Sequence, residues 1–120
     1  MDKIQLSSYR QPAMTTAIQS ELNTLKEIIV QTVPVEQIWL FGSHAYGTPH
    51  KDSDLDLYVV LKDEVETREL DAEVKILGAI GRVKTMPVDI IANKKSRYQR
   101  LTEGPTMERK IVREGVKIYG

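Results

Sequence analysis

Apolar positions along the chain change their period several times, and each change marks an element. From about Ala13 to Val33 they recur at Met14, Ile18, Leu22, Leu25, Ile29 and Val33, a spacing that predicts a helix with one buried stripe. Pro34 lacks the amide that another turn would need and ends it. Val35–Phe41 follows as a short strand in which Ile38, Trp39, Leu40 and Phe41 run apolar without alternation, the pattern of a strand covered on both faces. In so apolar a run Trp39 reads as core rather than as a platform for a base. His44–Ser53 is turn-rich, with room for one helical turn after Ser43. A second strand covers Asp54–Leu61, with Leu55, Leu57, Val59 and Leu61 on one face and Asp54, Asp56, Tyr58 and Val60 on the other. Thr67–Val83 reads as helix, with Leu70, Val74, Leu77 and Ile80 or Val83 as its stripe. Pro87–Ala92 is a third strand bearing one acid, Asp89, and Asn93–Thr102 is polar, basic and irregular. Gly104-Pro105 opens a last helix with proline at its first position, Gly115 closes it, and Val116–Tyr119 is an extended end. Residues 1–12 form an irregular lead-in.

That order calls for an α/β layer fold in a single domain over residues 1–120. The polar residues then orient the strands. If Ser43 at the end of the first strand and Asp54 at the start of the second share a site, those strands run antiparallel. If Asp89 joins them, the third strand runs parallel to the second through a helical crossover. The expectation is a small mixed three-stranded sheet flanked by about four helices.

Composition narrows the class. With 41% apolar and 28% charged residues the chain is ordinary for a soluble globular protein. It has no cysteine, which excludes disulfides and thiolate chemistry. No apolar run could span a bilayer, and Met1-Asp2-Lys3-Ile4-Gln5-Leu6 lacks the core of a signal peptide, so the expected location is the cytoplasm, without a membrane partner. A net charge of zero argues against general nucleic-acid binding, DNA included. The charge is nevertheless uneven. Residues 52–73 carry nine acids against Lys62 and Arg68, and residues 82–120 carry ten bases against four acids. Two solvated faces of opposite sign are the plainer account; a basic flank for an anionic substrate or acidic partner is the sharper one.

Candidate chemistry concentrates between Leu40 and Val60. Gly42 allows a turn or close approach without a Cβ, and Ser43 adds a hydroxyl and an amide there. A turn of this kind leading into a short helix presents free amides that attract phosphate oxygens. Asp54 and Asp56 stand two apart at a strand start, so both carboxylates project from one face. Hard oxygen pairs suit Mg²⁺, which binds a few carboxylates together with substrate phosphates.

The pattern Gly42-Ser43, ten residues, Asp54-x-Asp56 resembles the signature of the DNA polymerase beta-like nucleotidyltransferase superfamily. The short chain around it resembles the minimal nucleotidyltransferases that act as antitoxins beside HEPN-domain toxins. The resemblance implies the nucleotidyltransferase fold, with Asp89 as the third carboxylate on the next strand. It also implies ATP as substrate and transfer of AMP to a hydroxyl, specifically a tyrosine of the cognate toxin. In two-metal chemistry with Mg²⁺ ions about 4 Å apart, Asp54 and Asp56 would bridge both ions. Asp89 would complete the ion that binds the acceptor hydroxyl, and Gly42 and Ser43 would hold the terminal phosphates.

Two other functions fit the same residues: transfer to a small molecule such as an aminoglycoside, and an antitoxin that acts by occlusion without catalysis. Aminoglycoside enzymes of this kind carry a second helical domain, which is not expected here; a homo-oligomer would have to supply the acceptor wall. His44 and His50 have no metal-ligand cluster around them and read as polar loop residues, as does Lys51, which could also touch a phosphate. Lys94, Lys95, Arg97 and Arg100 read as a solvated basic loop.

Overall fold

The second strand, apolar on both faces beyond its opening acids, needs cover on every side, and the rest of the fold provides it. The computed structural model describes residues 14–49, 53–64 and 66–120. The lead-in expected over residues 1–12 lies outside them, as do His50, Lys51 and Asp52. The elements are α1 (Thr16–Thr32), β1 (Val35–Phe41), α2 (Ser43–Tyr46), β2 (Leu55–Leu61), α3 (Glu69–Ile80), β3 (Val88–Lys94), α4 (Lys95–Leu101), α5 (Met107–Glu114) and β4 (Val116–Tyr119).

These strands form one sheet in the order β3-β2-β1-β4. β1 runs antiparallel to β2, and β3 runs parallel to β2 after the α3 crossover, the directions that the polar residues implied. The sheet has four strands rather than three. Val116–Tyr119 pairs antiparallel with β1, Trp39 opposite Lys117 and Leu40 opposite Val116. Four residues alternating Val-Lys-Ile-Tyr are too short to declare a strand by themselves, but they cover an edge of β1 that would otherwise be open. Gly115 makes the tight junction before β4: a Cβ there would stand 2.6 Å from the Ile111 carbonyl oxygen and 2.9 Å from that of Leu40.

Alternation along β2 divides the core. Leu55, Leu57 and Val59 face α1 and α3, where Leu22, Leu25, Ile29, Ala72, Ile76 and Ile80 are buried. Tyr58 and Val60 face the other way, into a smaller cluster with Trp39, Tyr98 and Ile111. Trp39 is thus core, its indole N–H donating to Gln37 Oε1 at 2.9 Å. The Tyr58 hydroxyl donates to Glu108 Oε2 and accepts from the Asn93 amide, each at 2.8 Å. Glu108 is buried, and this network gives its carboxylate a partner across the layer.

Three sequence expectations change. Of the stripe read on the third helix only Ile80 is buried: Leu70 and Val74 are 69% and 63% exposed, and Leu77 and Val83 are also exposed. Ala72, Ile76 and Ile80 form the buried face instead. Both sets satisfy helical spacing. The buried one is settled by Ala72, small enough for close approach, and by Glu73, whose carboxylate accepts from the Ala92 amide of β3 at 2.9 Å. Second, Asn93–Thr102 is not irregular; β3 continues to Lys94 and α4 follows. There Tyr98 is the buried anchor, and Asp63 Oδ1 accepts from the Ser96 amide at 3.0 Å. Third, Pro105 does not open the last helix. Thr106 is its N-cap, accepting from the Arg109 amide at 3.1 Å, so Met107 takes the first helical position. Among the described residues no helix is long and apolar enough to cross a membrane.

The orientation of α3 is testable with dilute protein in urea unfolding. Ile76→Ala should cost about 2–5 kcal/mol, whereas Leu70→Ala and Val74→Ala should each stay within about 0.5 kcal/mol of the parent. The opposite order would put the outward stripe in the core.

Candidate active site

The register of three strands sets the site. Phe41, last in β1, pairs with Asp56 on β2, and Asp56 pairs with Asp89 on β3. Asp54 lies one residue ahead of β2, and the next amide, that of Leu55, donates to the Pro87 carbonyl at 3.0 Å, holding the openings of β2 and β3 together. The acids therefore stand at the start of two parallel strands, opposite the end of the antiparallel one.

Gly42 takes up the chain where β1 stops. Its φ of 76° and ψ of −163° suit glycine and strain other residues. A side chain would not fit either, because a Cβ would collide with Asp56 Oδ2 and approach Asp56 Cγ at 3.0 Å. The sequence thus brings bare backbone against a carboxylate. In α2, the Ala45 and Tyr46 amides donate to the Gly42 carbonyl at 3.0 and 2.9 Å, so the turn's own bonding begins after Ser43 and His44. Gly47, at φ 83°, ends it with its amide on the Ser43 carbonyl.

Burial raises the pKa of Asp56 above the ordinary carboxylate value. The charges of Asp89 and Asp54 push it further up, as does a hydrogen bond with Asp89, while His44 acts in the opposite sense. The structure therefore brings Asp56, Asp89 and Gly42 into direct proximity, couples Asp54 to them by charge, and sets Ser43 beside Gly42. Asp56 is half-buried and Asp89 is exposed. Among the described residues, no group of three or more His, Asp or Glu side chains forms a ready-made metal cage. The donor set nevertheless fits Mg²⁺, which takes one or two carboxylates and completes its shell with water and phosphate oxygens. Repulsion among these acids is what a cation would relieve.

Several supporting residues escaped the sequence reading. His44 is more than a polar loop residue: its Nε2 lies 3.2 Å from the Ser53 carbonyl oxygen, tying α2 to the residue ahead of Asp54. Tyr46 packs beside the turn, with Lys110 Nζ 4.7 Å from its ring centroid. Burial, first of all, raises the Tyr46 pKa; the charges of Glu114 and Asp56 also raise it, and a hydrogen bond with the Gly42 backbone opposes them. Tyr58, two residues beyond Asp56 on the same face, meets Phe41 edge-on at 6.5 Å between centroids. Its phenol pKa is raised chiefly by burial. The tyrosine's place on the face of the acids was legible; Glu108, fifty residues away, carried no local signal of its pairing.

Known proteins place this arrangement in context. No curated protein matches the chain. Among solved structures, a candidate nucleotidyltransferase from Sulfolobus solfataricus is 25% identical, with a TM-score of 0.47 over 73% of this chain and 82% of that one. A mutant MntA-HpeT toxin–antitoxin structure is 19% identical, with a TM-score of 0.54 over 82% of this chain and 72% of that one. A toxin–antitoxin structure with AMP-PNP is 21% identical, with a TM-score of 0.49 over the same shares. The second likeness is one of fold. The sequence pattern of the nucleotidyltransferase domain family matches residues 22–118, a span that takes in the Gly42 turn and all three acids, and the chain belongs to that family.

Proposed function

We propose that this protein is a metal-dependent nucleotidyltransferase that moves AMP from ATP to a tyrosine hydroxyl of a HEPN-domain toxin, acting as its antitoxin. The observation that carries the reading is the row Gly42–Asp56–Asp89, in which a Cβ-free turn lies against one carboxylate whose register partner on the next strand is a second. Family membership supports nucleotidyl transfer as the reaction. The toxin–antitoxin structure whose fold this chain shares suggests the class of acceptor.

In this reading Asp54, Asp56 and Asp89 would together hold two Mg²⁺, one or two carboxylates to each ion. When bound, these ions supply charge neutralisation at the attacking and leaving oxygens. The remaining work falls to the chain. The Ser43 amide and hydroxyl, with the Gly42 backbone, orient the terminal phosphates. Asp89, the most exposed of the acids, faces the incoming hydroxyl and can take its proton. His44, within 3.2 Å of the Ser53 carbonyl, ties α2 to the residue just ahead of Asp54. Incubating the protein with α-labelled ATP, Mg²⁺ and the toxin should place label on the toxin. Label on a small molecule, or a tight complex without label, would overturn the proposal.

Three variants probe the roles. Asp54→Asn combined with Asp56→Asn should abolish transfer with the fold intact, since asparagine keeps the size and relieves the repulsion; unchanged turnover at matched folding would remove the acids from catalysis. Asp89→Asn should keep nucleotide affinity in calorimetry but lose label transfer, whereas Ser43→Ala should weaken nucleotide binding with the carboxylates still in place. Wild-type transfer by Asp89→Asn would make Asp89 a structural residue.

The raised pKa of Asp56 gives a pH signature in chelator-treated protein. The folded state holds the proton more tightly than the unfolded chain does. That stabilisation is fully present below the unfolded pKa and is lost as pH rises through the folded one. Asp56→Asn should therefore melt higher than the parent at neutral pH, and the difference should vanish as pH falls below the ordinary carboxylate range. A difference independent of pH would assign the effect to packing.

A further inference from the structure

Helix α3 has a second apolar face, and the fold leaves it in solvent. Leu70, Val74 and Leu77 are 69%, 63% and 41% exposed. They follow i, i+4, i+7 spacing, so they form one stripe on the side away from Ala72, Ile76 and Ile80. Single exposed apolar residues are ordinary; an aligned stripe on one helix is the signature of a contact surface. Beside it, a Cβ added to Gly78 would meet nothing within 4 Å, so another backbone can approach closely there.

Charge identifies what fits. Around the helix opening, Glu66, Glu69 and Asp71 outweigh Arg68; Lys75 stands mid-helix beside Glu73, which is turned to the Ala92 amide, and Arg82 and Lys84 follow the helix end with no acid beside them in the sequence. A parallel copy of this helix would stack like on like. An antiparallel copy sets acidic opening against basic end, and a two-fold axis makes that match twice. The helix dipoles then oppose each other favourably as well. The stripe is self-complementary in the same arrangement, because Leu70 and Leu77 lie on either side of Val74.

We propose that α3 is the contact of a two-fold dimer, with Val74 of each copy near the axis and Leu70 of one copy against Leu77 of the other. The surface is small. Twelve residues at about 1.5 Å each give a helix that offers less than the ~800 Å² per partner of a standard interface. The dimer is therefore concentration-dependent and weakened by salt.

Sedimentation equilibrium of the full chain over a dilution series should show a monomer–dimer equilibrium that shifts toward monomer at high salt. Val74→Glu should weaken it at least about tenfold, with the melting temperature of dilute protein unchanged. The chain has no cysteine, so Val74→Cys provides a direct probe. Under mild oxidation it should give a disulfide-linked dimer, whereas Glu103→Cys, exposed between α4 and α5, should not. A wild-type protein that stays monomeric to its solubility limit would overturn the proposal and leave the stripe to another protein. So would a dimer indifferent to Val74→Glu, or equal cross-linking from both cysteine variants.

Discussion

The ladder that pairs β2 with a strand on each side is the constraint on which the site depends. Side chains in a sheet alternate strictly, so a slip of one residue on either flank would turn Asp56 or Asp89 to the opposite face. What holds the register is the burial of Leu57, Tyr58, Val59, Val60 and Leu61, all 0% exposed. Leu57 and Val59 could exchange faces with Tyr58 and Val60 only by forcing a phenol into the cluster of Leu22, Leu25 and Ile76, where the Glu108 carboxylate and Asn93 amide would no longer reach it. Core packing thus fixes the acids without touching them.

The two sides of the sheet do this differently. The α1–α3 side is aliphatic and works by packing alone. The other side is aromatic and carries polar bonds: Tyr58 lies between Phe41 and Tyr98, with ring centroids 6.5 and 5.7 Å away. Its hydroxyl joins α5 to β3 through Glu108 and Asn93. Because Phe41 is also the register partner of Asp56, a shift of α5 would reach the Gly42 turn through only two rings. Lys110, on the same helix, lies over Tyr46 of that turn. α5 is therefore a support of the site, although it contributes none of the acids.

How much of this was legible followed from how local each determinant is. The helix expected over about Ala13–Val33, found as α1 over Thr16–Thr32, and the first three strands with their directions were readable because periodicity and the placement of Gly42, Asp54, Asp56 and Asp89 are local. The face of α3 was not, because two stripes satisfied the same spacing and the choice lay with Glu73 reaching an amide nineteen residues on. The segment after Asn93 looked irregular because Lys94, Lys95, Arg97 and Arg100 mask a helix held by one buried residue, Tyr98. β4 needed its partner: Lys117, which breaks the apolar run, extends its ammonium to 5.8 Å from the Trp39 ring. The contact of His44 with Ser53 was equally a tertiary fact.

The site is also where the fold is least at ease with itself. Gly42 holds a positive φ that no side chain could share, and Asp56 is partly buried beside two other acids. The first suits glycine and costs this chain little; the second does not stabilise the ligand-free chain and would be relieved by the binding proposed here. A cation would remove the repulsion at Asp56, and phosphate oxygens would use the amides that α2 does not bond internally. A protein arranged this way is most stable when loaded, because a ligand that binds only the folded state adds its binding free energy to folding. The repulsion is confined to the opening of β2, while Leu57 to Leu61 beyond it are completely buried, so it does not reach the register. In the proposed reading this is the preorganised charge that electrostatic catalysis requires, and the core bears the cost of holding the acids at the strand openings.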